Sequence, residues 1–545
     1  MDVVRAGDSL AVSFGGSTVL IGTTRAGVDA DVVLLSNHVA ASGLPALVLE
    51  ERFSGIVYGT EPVTNFGRIY VEEMELSKGD ARRYSSHDIE TAFDTVHHVA
   101  FNQRIPINAA LTVSASSSGF AIGACNWIFE TAMDSVGFIV ESSGTVRRHP
   151  TPMDPSRVHL CDHLVIGPGL RPSTCADPAS ALVTMCSVIE TTIKQSGNVI
   201  IPVAPGAVIF DILEYVHAFL AARSLGHVTM HYISPVASAS IAFSSIAGEW
   251  LCEPKQACIF DGKAPLGIEE LTSKRRLQVY SSVEDDEFAS SFKEPALMFT
   301  GVTSLHTGDT RFLLEQFGGD PRNCLINLQP DGISPQLPTS VGSMKVFQCP
   351  IDVRLNVEEV GQLLRQCNRC KKVYCPYEIA EAIQTSSLPS VPYRELAPFR
   401  IDVRMQYQLA YLDEPLARSI AIASQSRICA VPFRGQLRWE GCNIVIRGVD
   451  ACDSLSQKRQ DVYVSPTLTQ LVSRLHQSGY SDATIIGSQP QDVNLEDALT
   501  VDISIPSLHA QIRTSVAKTV IHCQDDMSRL ALAETLHDLL IPTDL

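Results

Sequence analysis

Short apolar runs separated by glycines dominate the first 150 residues. The runs SLAVSF, STVLIG and DVVLLSN follow one another between residues 9 and 37, with Gly15, Gly16 and Gly27 between them. This pattern is typical of β-strands joined by turns. The later stretches LTVSASSSGFAIGACNWIFE and SVGFIVESSG indicate further strands, and LSKGDARRYSSHDIETAF indicates a partly helical surface segment. The pattern therefore predicts a strand-rich N-terminal region with interspersed helices.

From about Ala176 the pattern changes to alternating strands and helices. The stretch ASALVTMCSVIETTIKQSG has helical apolar spacing and ends at Gly197, and the apolar run NVIIPVAP follows it. A second helical stretch, GAVIFDILEYVHAFLAARSLG, precedes the strand VTMHYISPV. Strands ALMFTG, SMKVFQCPID and KKVYCP come later, with the helix NVEEVGQLLRQC before the last of them. Strand, helix and strand at this spacing predict a parallel α/β unit.

The C-terminal third divides at two polar stretches. QTSSLPSVPYRELAPFR, at residues 384–400, is rich in Ser and Pro and is predicted to be a linker or domain edge. CDSLSQKRQD is a second polar joint, before a helix with Ser465 as its N-cap and Pro466 at its first position. The alternating runs LTVDISIP and HAQIRTSVAKTVIHC and a final helix complete an α/β unit of about 85 residues, which is large enough to be a domain.

Composition narrows the class of protein. A chain of 545 residues predicts two to four domains, and a formal charge of -18 makes it a poor stand-alone binder of nucleic acid. We expect no signal peptide, because no basic segment precedes an apolar one, and no membrane span, because no apolar run reaches about 18 residues. The 15 scattered cysteines indicate reduced thiols in the cytosol or nucleus.

An ordered set of phrases over residues 9–380 carries a resemblance. The phrases are VVLLSN with GLPALV, FSGIVYGTEPV with GRIYVEEM, SSGFAIGACNWI, RRHPTPMD, GNVIIPVAPGAVIFDILE, YISPVASASIAFSSIAGEWL, LMFTG and FQCPIDVRLN. In this order the chain resembles the metallo-β-lactamase and β-CASP nuclease family, and in particular the nuclease-like members of the Integrator complex that lack activity. The final α/β segment is similar to the last domain of those members.

The resemblance implies an α/β fold of several parts. It implies a metallo-β-lactamase αββα sandwich with an inserted β-CASP domain, followed by small C-terminal β-rich and α/β domains. The implied parts are the N-terminal part of the sandwich (1–175), the β-CASP insertion (176–298), the C-terminal part of the sandwich (299–390), a β-rich domain (396–455) and an α/β dimerisation domain (460–545).

The resemblance also implies that the catalytic site has lost its ligands. In active members, a His-x-His-x-Asp-His loop and further histidines and aspartates at strand ends hold two zinc ions, which generate the attacking hydroxide. Here only His38 is a candidate ligand, and one imidazole does not hold catalytic zinc. We therefore expect a pseudoenzyme without catalytic residues, metal or cofactor, although the loop taken alone is equally compatible with an ordinary strand-to-helix connection. The degenerate positions are Gly22, Asn37, Val39, Ala41, Ser42, Phe120, Ser143, Gly167, Ile351 and Cys375.

A scaffold role in RNA processing is what the resemblance implies for function. The implied partners are the catalytic Integrator complex subunit 11, Integrator complex subunit 4 and other Integrator subunits, in the nucleus with a cytoplasmic stage during assembly, with indirect RNA contact and no membrane. Two alternatives stay open: the inactive subunit of the cleavage and polyadenylation specificity factor, and a working hydrolase with displaced ligands. Helically spaced apolar residues of the last unit are the predicted partner contacts, with a role in that unit's own core as the alternative. They are Leu468, Leu471, Val472, Leu475, Leu532, Leu536 and Leu539.

The sequence CNRC, from Cys367 to Cys370, is a further candidate for zinc or redox chemistry. A structural zinc site needs four ligands, and no second Cys or His pair follows at a finger-like spacing. The pair also falls at the predicted end of a helix before a strand. Packing in the core is therefore the favoured interpretation.

Overall fold

The computed structural model divides the chain into two compact units, Met1–Gln406 and Tyr407–Leu545, which are described separately. The described parts of the first unit are residues 1–23, 30–108, 110–145, 148–206, 208–301, 304–330, 337–383 and 388–404. The described parts of the second unit are residues 410–412, 435–440, 443–448, 472, 475–476, 478, 480, 482–486, 501–515, 518–523, 525, 528–529 and 531–532.

In the first unit these parts form strands joined by helices. In the second unit they form strands and include helical residues at 472, 475–476, 528–529 and 531–532. The helices are α1 (Glu61–Leu76), α2 (Ser86–Asp94), α3 (Pro155–His159), α4 (Pro178–Lys194), α5 (Ile209–Ala222), α6 (Ala237–Ile246), α7 (Glu253–Phe260), α8 (Ile268–Ser273), α9 (Asp286–Ser291), α10 (Gly308–Phe317), α11 (Val357–Arg365) and α12 (Ala380–Ile383). The strands are β1 (Asp2–Ala6), β2 (Ser9–Phe14), β3 (Ser17–Ile21), β4 (Val32–Leu34), β5 (Ile56–Gly59), β6 (Val96–His98), β7 (Arg104–Asn108), β8 (Leu111–Ser117), β9 (Cys125–Glu130), β10 (Ser135–Ile139), β11 (His163–Ile166), β12 (Val199–Pro202), β13 (Met230–Ile233), β14 (Leu277–Tyr280), β15 (Leu297–Thr300), β16 (Cys324–Asn327), β17 (Lys345–Gln348), β18 (Lys372–Pro376), β19 (Ser390–Tyr393), β20 (Phe399–Arg400), β21 (Ala410–Leu412), β22 (Gly435–Glu440), β23 (Asn443–Gly448), β24 (Thr484–Ile486), β25 (Val501–Ile505), β26 (Ala510–Ser515) and β27 (Lys518–His522).

Two seven-stranded sheets form a sandwich in the first unit. Their strand orders are β20-β1-β2-β3-β4-β5-β6 and β19-β18-β11-β10-β9-β8-β7. Val12 and Val19 of the first sheet pack with Trp127 and Phe138 of the second in one buried core. Helices α1 and α2 cover the outer face of the first sheet, and α11 and α12 cover that of the second. The predicted αββα arrangement is thus confirmed.

A third sheet of the first unit has the order β14-β13-β15-β12-β16-β17, and all of its strands are parallel. Apolar side chains of α4 and α5 pack on one face of it, and those of α9 and α10 on the other. This is the parallel α/β unit that the sequence predicted. This sheet and the helices on its two faces form what we call the third-sheet lobe. Strands β15, β16 and β17 pair within the sheet. The pairing therefore favours an end of this lobe after Gln348, rather than the expected end of the β-CASP insertion at residue 298. The division into domains otherwise stays a prediction.

The Ser- and Pro-rich stretch at 384–400 supplies two edge strands in its described part. Strand β19 pairs with β18 at the edge of the second sheet, and β20 pairs with β1 at the edge of the first. The described part of this stretch therefore belongs to the first unit and is not a linker, whereas the alternative of a domain edge agrees with the end of that unit at Gln406. Arg404 fixes the end of the described segment, because its guanidinium pairs with Asp134, with Nη2 at 2.8 Å from Oδ1.

The second unit contains two small sheets. One has the order β21-β23-β22, and the other is the antiparallel sheet β24-β25-β26-β27. Ile503 and Ile505 of β25 and Ile512 of β26 face a shared core, as the alternation in LTVDISIP predicted. The predicted helix caps Ser465 and Pro466 lie outside the described residues. Among the helices that the structure describes, none is long and apolar enough to cross a membrane.

Candidate functional site

A cavity of about 620 Å³ lies in the first unit, where strands of the first, second and third sheets end. Residues that follow β3, β4, β10, β11, β12 and β16 line it, so the carboxyl ends of strands from three sheets meet here. This is the usual place for a ligand site in α/β proteins. Of the ten degenerate positions, those that line the cavity are Gly22, Asn37, Val39, Ser42, Phe120 and Ile351.

Asn37, the first residue of the degenerate loop, is fully engaged by hydrogen bonds. Its Oδ1 accepts from the backbone N–H groups of Val39 and Ala40, at 3.0 and 2.9 Å, and this caps the short helical turn that follows. Its Nδ2 donates to Glu141 Oε2 at 3.0 Å. The amide therefore holds the loop in shape and ties it to the end of β10. An imidazole at this position would lose the acceptor oxygen that forms the cap.

His38, the candidate ligand, is held by ring contacts. Its ring stacks on Phe120 with centroids 6.3 Å apart, and meets the edge of Tyr70 with centroids 5.7 Å apart. The side chain is buried and its Nε2 has no hydrogen-bond partner. Burial lowers the pKa of His38 to about 4, so the ring is neutral at physiological pH. These contacts make His38 part of an aromatic packing cluster.

Gly22, which matches the supporting aspartate, has no room for a side chain. Its φ is +100°, and a Cβ built on it would overlap Ser9 Oγ and lie 3.2 Å from Ser9 Cβ. Its N–H donates to the Leu34 carbonyl at 3.0 Å and joins β3 to β4. An aspartate at this position would therefore need both a strained backbone and a rearrangement of the Ser9 side chain.

Phe120 lies in a turn that Arg148 holds against the third-sheet lobe. Arg148 Nη1 donates to the carbonyls of Gly119 and Phe120, at 3.0 and 2.8 Å, and Nη2 pairs with Asp211 of α5 at 2.9 Å. Gly119 has a φ of +69°, and a Cβ there would lie 2.8 Å from the Ser143 carbonyl oxygen. Ser143 thus packs behind this turn, outside the cavity lining.

The charged residues of the cavity wall, among them Glu141, Asp352 and Arg354, were not identified from the sequence. Glu141 follows β10, and a Cβ at Gly169 would lie 2.6 Å from its Oε1. Burial is the main cause of a raised pKa at Glu141, and the Asn37 hydrogen bond opposes it. Asp352 and Arg354, two residues apart on one segment of the cavity wall, form an ion pair at 2.7 Å. The position of Glu141 directly after a strand was the one available signal for it.

The remaining degenerate positions face other parts of the protein. Ala41 is fully buried and packs under Gly67 of α1. Gly167 lines a separate pocket of about 380 Å³. Cys375 is fully buried beneath α11 and α12, and burial raises the pKa of its thiol to about 11. Cys367 and Cys370 of the CNRC sequence lie in the same core, as the packing interpretation predicts.

The cavity has no described set of side chains that fits a metal ion. Within the part of the chain that the structure describes, no group of three or more His, Cys, Asp and Glu side chains is placed to bind one. His38 is enclosed by rings, and Asn37 replaces an imidazole with an amide that is already bonded. The described residues can therefore bind polar groups at the rim, but they do not assemble the imidazole and carboxylate set that zinc hydrolysis requires.

The predicted partner contacts of the second unit are only partly described. Leu475 and Leu532 are fully buried in the core formed with Ile503 and Ile512, and Val472 packs against this core from a half-buried position. Their contact with a partner stays a prediction. The predicted contacts that lie outside the described residues are Leu468, Leu471, Leu536 and Leu539.

Comparisons with known proteins agree with this fold. Residues 21–145 match the model of a metallo-beta-lactamase superfamily domain. Integrator complex subunit 9 of Homo sapiens is 29% identical over 437 residues, which are 72% of this chain and 65% of that protein. The Integrator complex subunit 9 homolog of Nematostella vectensis is 31% identical over 373 residues, 62% of this chain and 56% of that protein. A probable cleavage and polyadenylation specificity factor subunit 2 of Caenorhabditis briggsae is 23% identical over 295 residues, 52% of this chain and 34% of that protein. The matched region thus spans less than two thirds of each of these relatives.

Proposed function

Because the chain contains a metallo-beta-lactamase superfamily domain and is similar to Integrator complex subunit 9, we propose that it is a non-catalytic scaffold subunit of an Integrator complex. In this role it pairs with a catalytic β-CASP endonuclease, Integrator complex subunit 11, and helps to dock Integrator complex subunit 4. The complex would cleave nascent transcripts of RNA polymerase II and process the 3′ ends of small nuclear RNA in the nucleus.

The hydrogen bonds and packing around the degenerate loop are the main support for the proposal that the protein is not a catalyst. Asn37 Oδ1 and Nδ2 are both engaged by hydrogen bonds within the protein, and Gly22 has no space for a carboxylate. Two positions that the resemblance matches to the metal loop and to its supporting aspartate thus have a structural role in this chain, which supports the proposal. The sheets of the metallo-beta-lactamase fold are nevertheless present around the cavity. A protein with this fold but without the ligand set could act by binding partners through its surfaces.

The formal charge of -18 supports protein partners over direct contact with RNA. The second unit is the proposed joint, since residues 460–545 resemble the dimerisation domain of the family. The antiparallel sheet of this unit has one buried face, formed by Ile503, Ile505 and Ile512. We propose its opposite face and its edges as the surfaces that meet a partner sheet.

Copurification tests this proposal. The tagged full chain and a chain without residues 460–545 would be expressed at equal levels, and the captured proteins identified by mass spectrometry. We expect a catalytic β-CASP nuclease and other Integrator subunits with the full chain only. An equal yield of these proteins with the truncated chain would contradict the proposed joint. The control is the thermal transition of the first unit, which must be the same in both chains.

The relative from Caenorhabditis briggsae supports a second candidate, an inactive subunit of the cleavage and polyadenylation specificity factor. The same experiment separates the two candidates. Polyadenylation factors in place of Integrator subunits would replace the proposed complex and leave the scaffold role intact.

A further inference from the structure

A buried carboxyl group connects α1 to the third sheet. Helix α1 contributes Val63 and Val71 to the core over the first sheet, and Phe66 and Ile69 to the core over the third. Glu73, near the end of this helix, is only 2% exposed. The helix therefore lies between the two lobes, and the side chain of Glu73 enters the third-sheet lobe.

The carboxyl group of Glu73 occupies the carboxyl ends of β13 and β15. Ser234, directly after β13, donates its hydroxyl to Glu73 Oε2. Gly301, directly after β15, has no room for a Cβ, because that atom would overlap Glu73 Oε1. This edge of a parallel sheet is where α/β proteins commonly bind ligands. Here a side chain of the same protein fills it.

No described cation balances the charge of Glu73. The titratable groups that face it are Asp309, at the start of α10, and the buried phenol of Tyr232 on β13. Asp309 itself accepts hydrogen bonds from Ser282 Oγ and the Val283 N–H, each at 2.9 Å. Burial raises the pKa of Glu73 to about 7, the nearby charge of Asp309 adds to this, and the Ser234 hydrogen bond opposes it.

We propose that Glu73 is a protonation-controlled latch between α1 and the third sheet. The protonated carboxyl keeps α1 packed on the ends of β13 and β15. Ionisation favours release of the contact, because the Ser234 hydroxyl alone does not balance a carboxylate buried beside Asp309. Tyr70 of the same helix lines the cavity and contacts His38, so opening of the latch also loosens one wall of the cavity.

The direction of the pH effect follows from the burial. The closed state binds a proton with a pKa of about 7, whereas an exposed glutamate has a pKa near 4.5. The closed state is therefore favoured at low pH, and the advantage is lost as the pH rises through 7. Between pH 6 and pH 8, these two pKa values give an increase of about tenfold in the population of the open state.

Hydrogen exchange of the full chain tests the latch. Exchange is measured at pH 6 and pH 8 and corrected for the intrinsic rate, in peptides that cover α1 and the ends of β13 and β15. We expect about tenfold faster corrected exchange at pH 8 in the natural chain. In Glu73→Gln the exchange should be slow and equal at both pH values. The matched control Glu90→Gln, on the exposed face of α2, should behave as the natural chain.

A second variant keeps the test decisive if Glu73→Gln does not fold. Removal of the hydroxyl in Ser234→Ala takes away the group that favours ionisation of Glu73, so the midpoint of the pH effect should move to higher pH. Equal corrected exchange at pH 6 and pH 8 in the natural chain would overturn the proposal. So would a pH dependence that persists in Glu73→Gln.

Discussion

Substitution of Gly22 by alanine should be unusually costly, and the cost can be divided into two parts. The first is backbone strain, because a φ of +100° is unfavourable for a residue with a side chain and costs about 1–2 kcal/mol. The second is overlap of the new Cβ with Ser9, an overpacking that costs about 1–3 kcal/mol. The sum of about 2–5 kcal/mol is a large part of the stability of a typical domain, about 5–15 kcal/mol.

Gly16 provides a matched control for the strain alone. Its φ is +84°, and a Cβ there would meet no atom within 4 Å. Guanidinium unfolding, followed by tryptophan fluorescence, gives the free energy of unfolding of each variant. Gly22→Ala should cost about 1–3 kcal/mol more than Gly16→Ala, and the addition of Ser9→Gly should recover most of this difference. Equal costs for the two glycines would refute the steric reasoning.

If that difference is found, a side chain at this position meets both the backbone strain and the contact with Ser9. The resemblance matches this position to an aspartate of active nucleases. A single substitution to aspartate should then carry a similar cost in stability.

Three further predictions concern single side chains of the first unit. Asn37→Ala should lower the free energy of unfolding by about 1–3 kcal/mol, because it removes a cap and a buried hydrogen bond; an unchanged urea midpoint would contradict this. His231 lies in an aromatic cluster with both ring nitrogens unbonded, and burial lowers its pKa to about 4. The natural chain should therefore lose up to about 3 kcal/mol as the pH falls from 6.5 towards 4, and pH-dependent unfolding of His231→Phe should show a smaller loss. Arg148→Met should cost about 3–5 kcal/mol in the same assay, since Asp211 loses its arginine partner and keeps only its contacts with His149, whereas Arg104→Met on the surface should cost under about 1 kcal/mol; similar costs would contradict the assigned burial.

The elements of the third-sheet lobe were predicted well because each strand or helix has a single pattern of apolar residues. Strand β12 and helix α5 fall within the predicted apolar runs, and they are separated by a short turn. Helix α1 was not predicted. Its apolar residues face two different cores, Phe66 and Ile69 towards one and Val63 and Val71 towards the other, so no single helical stripe is visible.

The site was only partly predictable, because its contacts join distant parts of the chain. The resemblance led to the loop at 37–42 and to Phe120 and Ile351, which line one cavity. It did not lead to Glu141, which is 104 residues from its partner Asn37. Cys375 lies away from the cavity because the alternation along β18 turns this side chain to the helix layer, while its neighbour Tyr374 faces the core between the sheets.

The zinc content of the purified full chain tests the central claim most directly. Elemental analysis after gel filtration should find far less than one zinc ion per chain, and His38→Ala should give the same value, because one enclosed imidazole does not hold the ion. About one or two zinc ions per chain, lost in His38→Ala, would contradict the account and indicate a working metal site at this cavity.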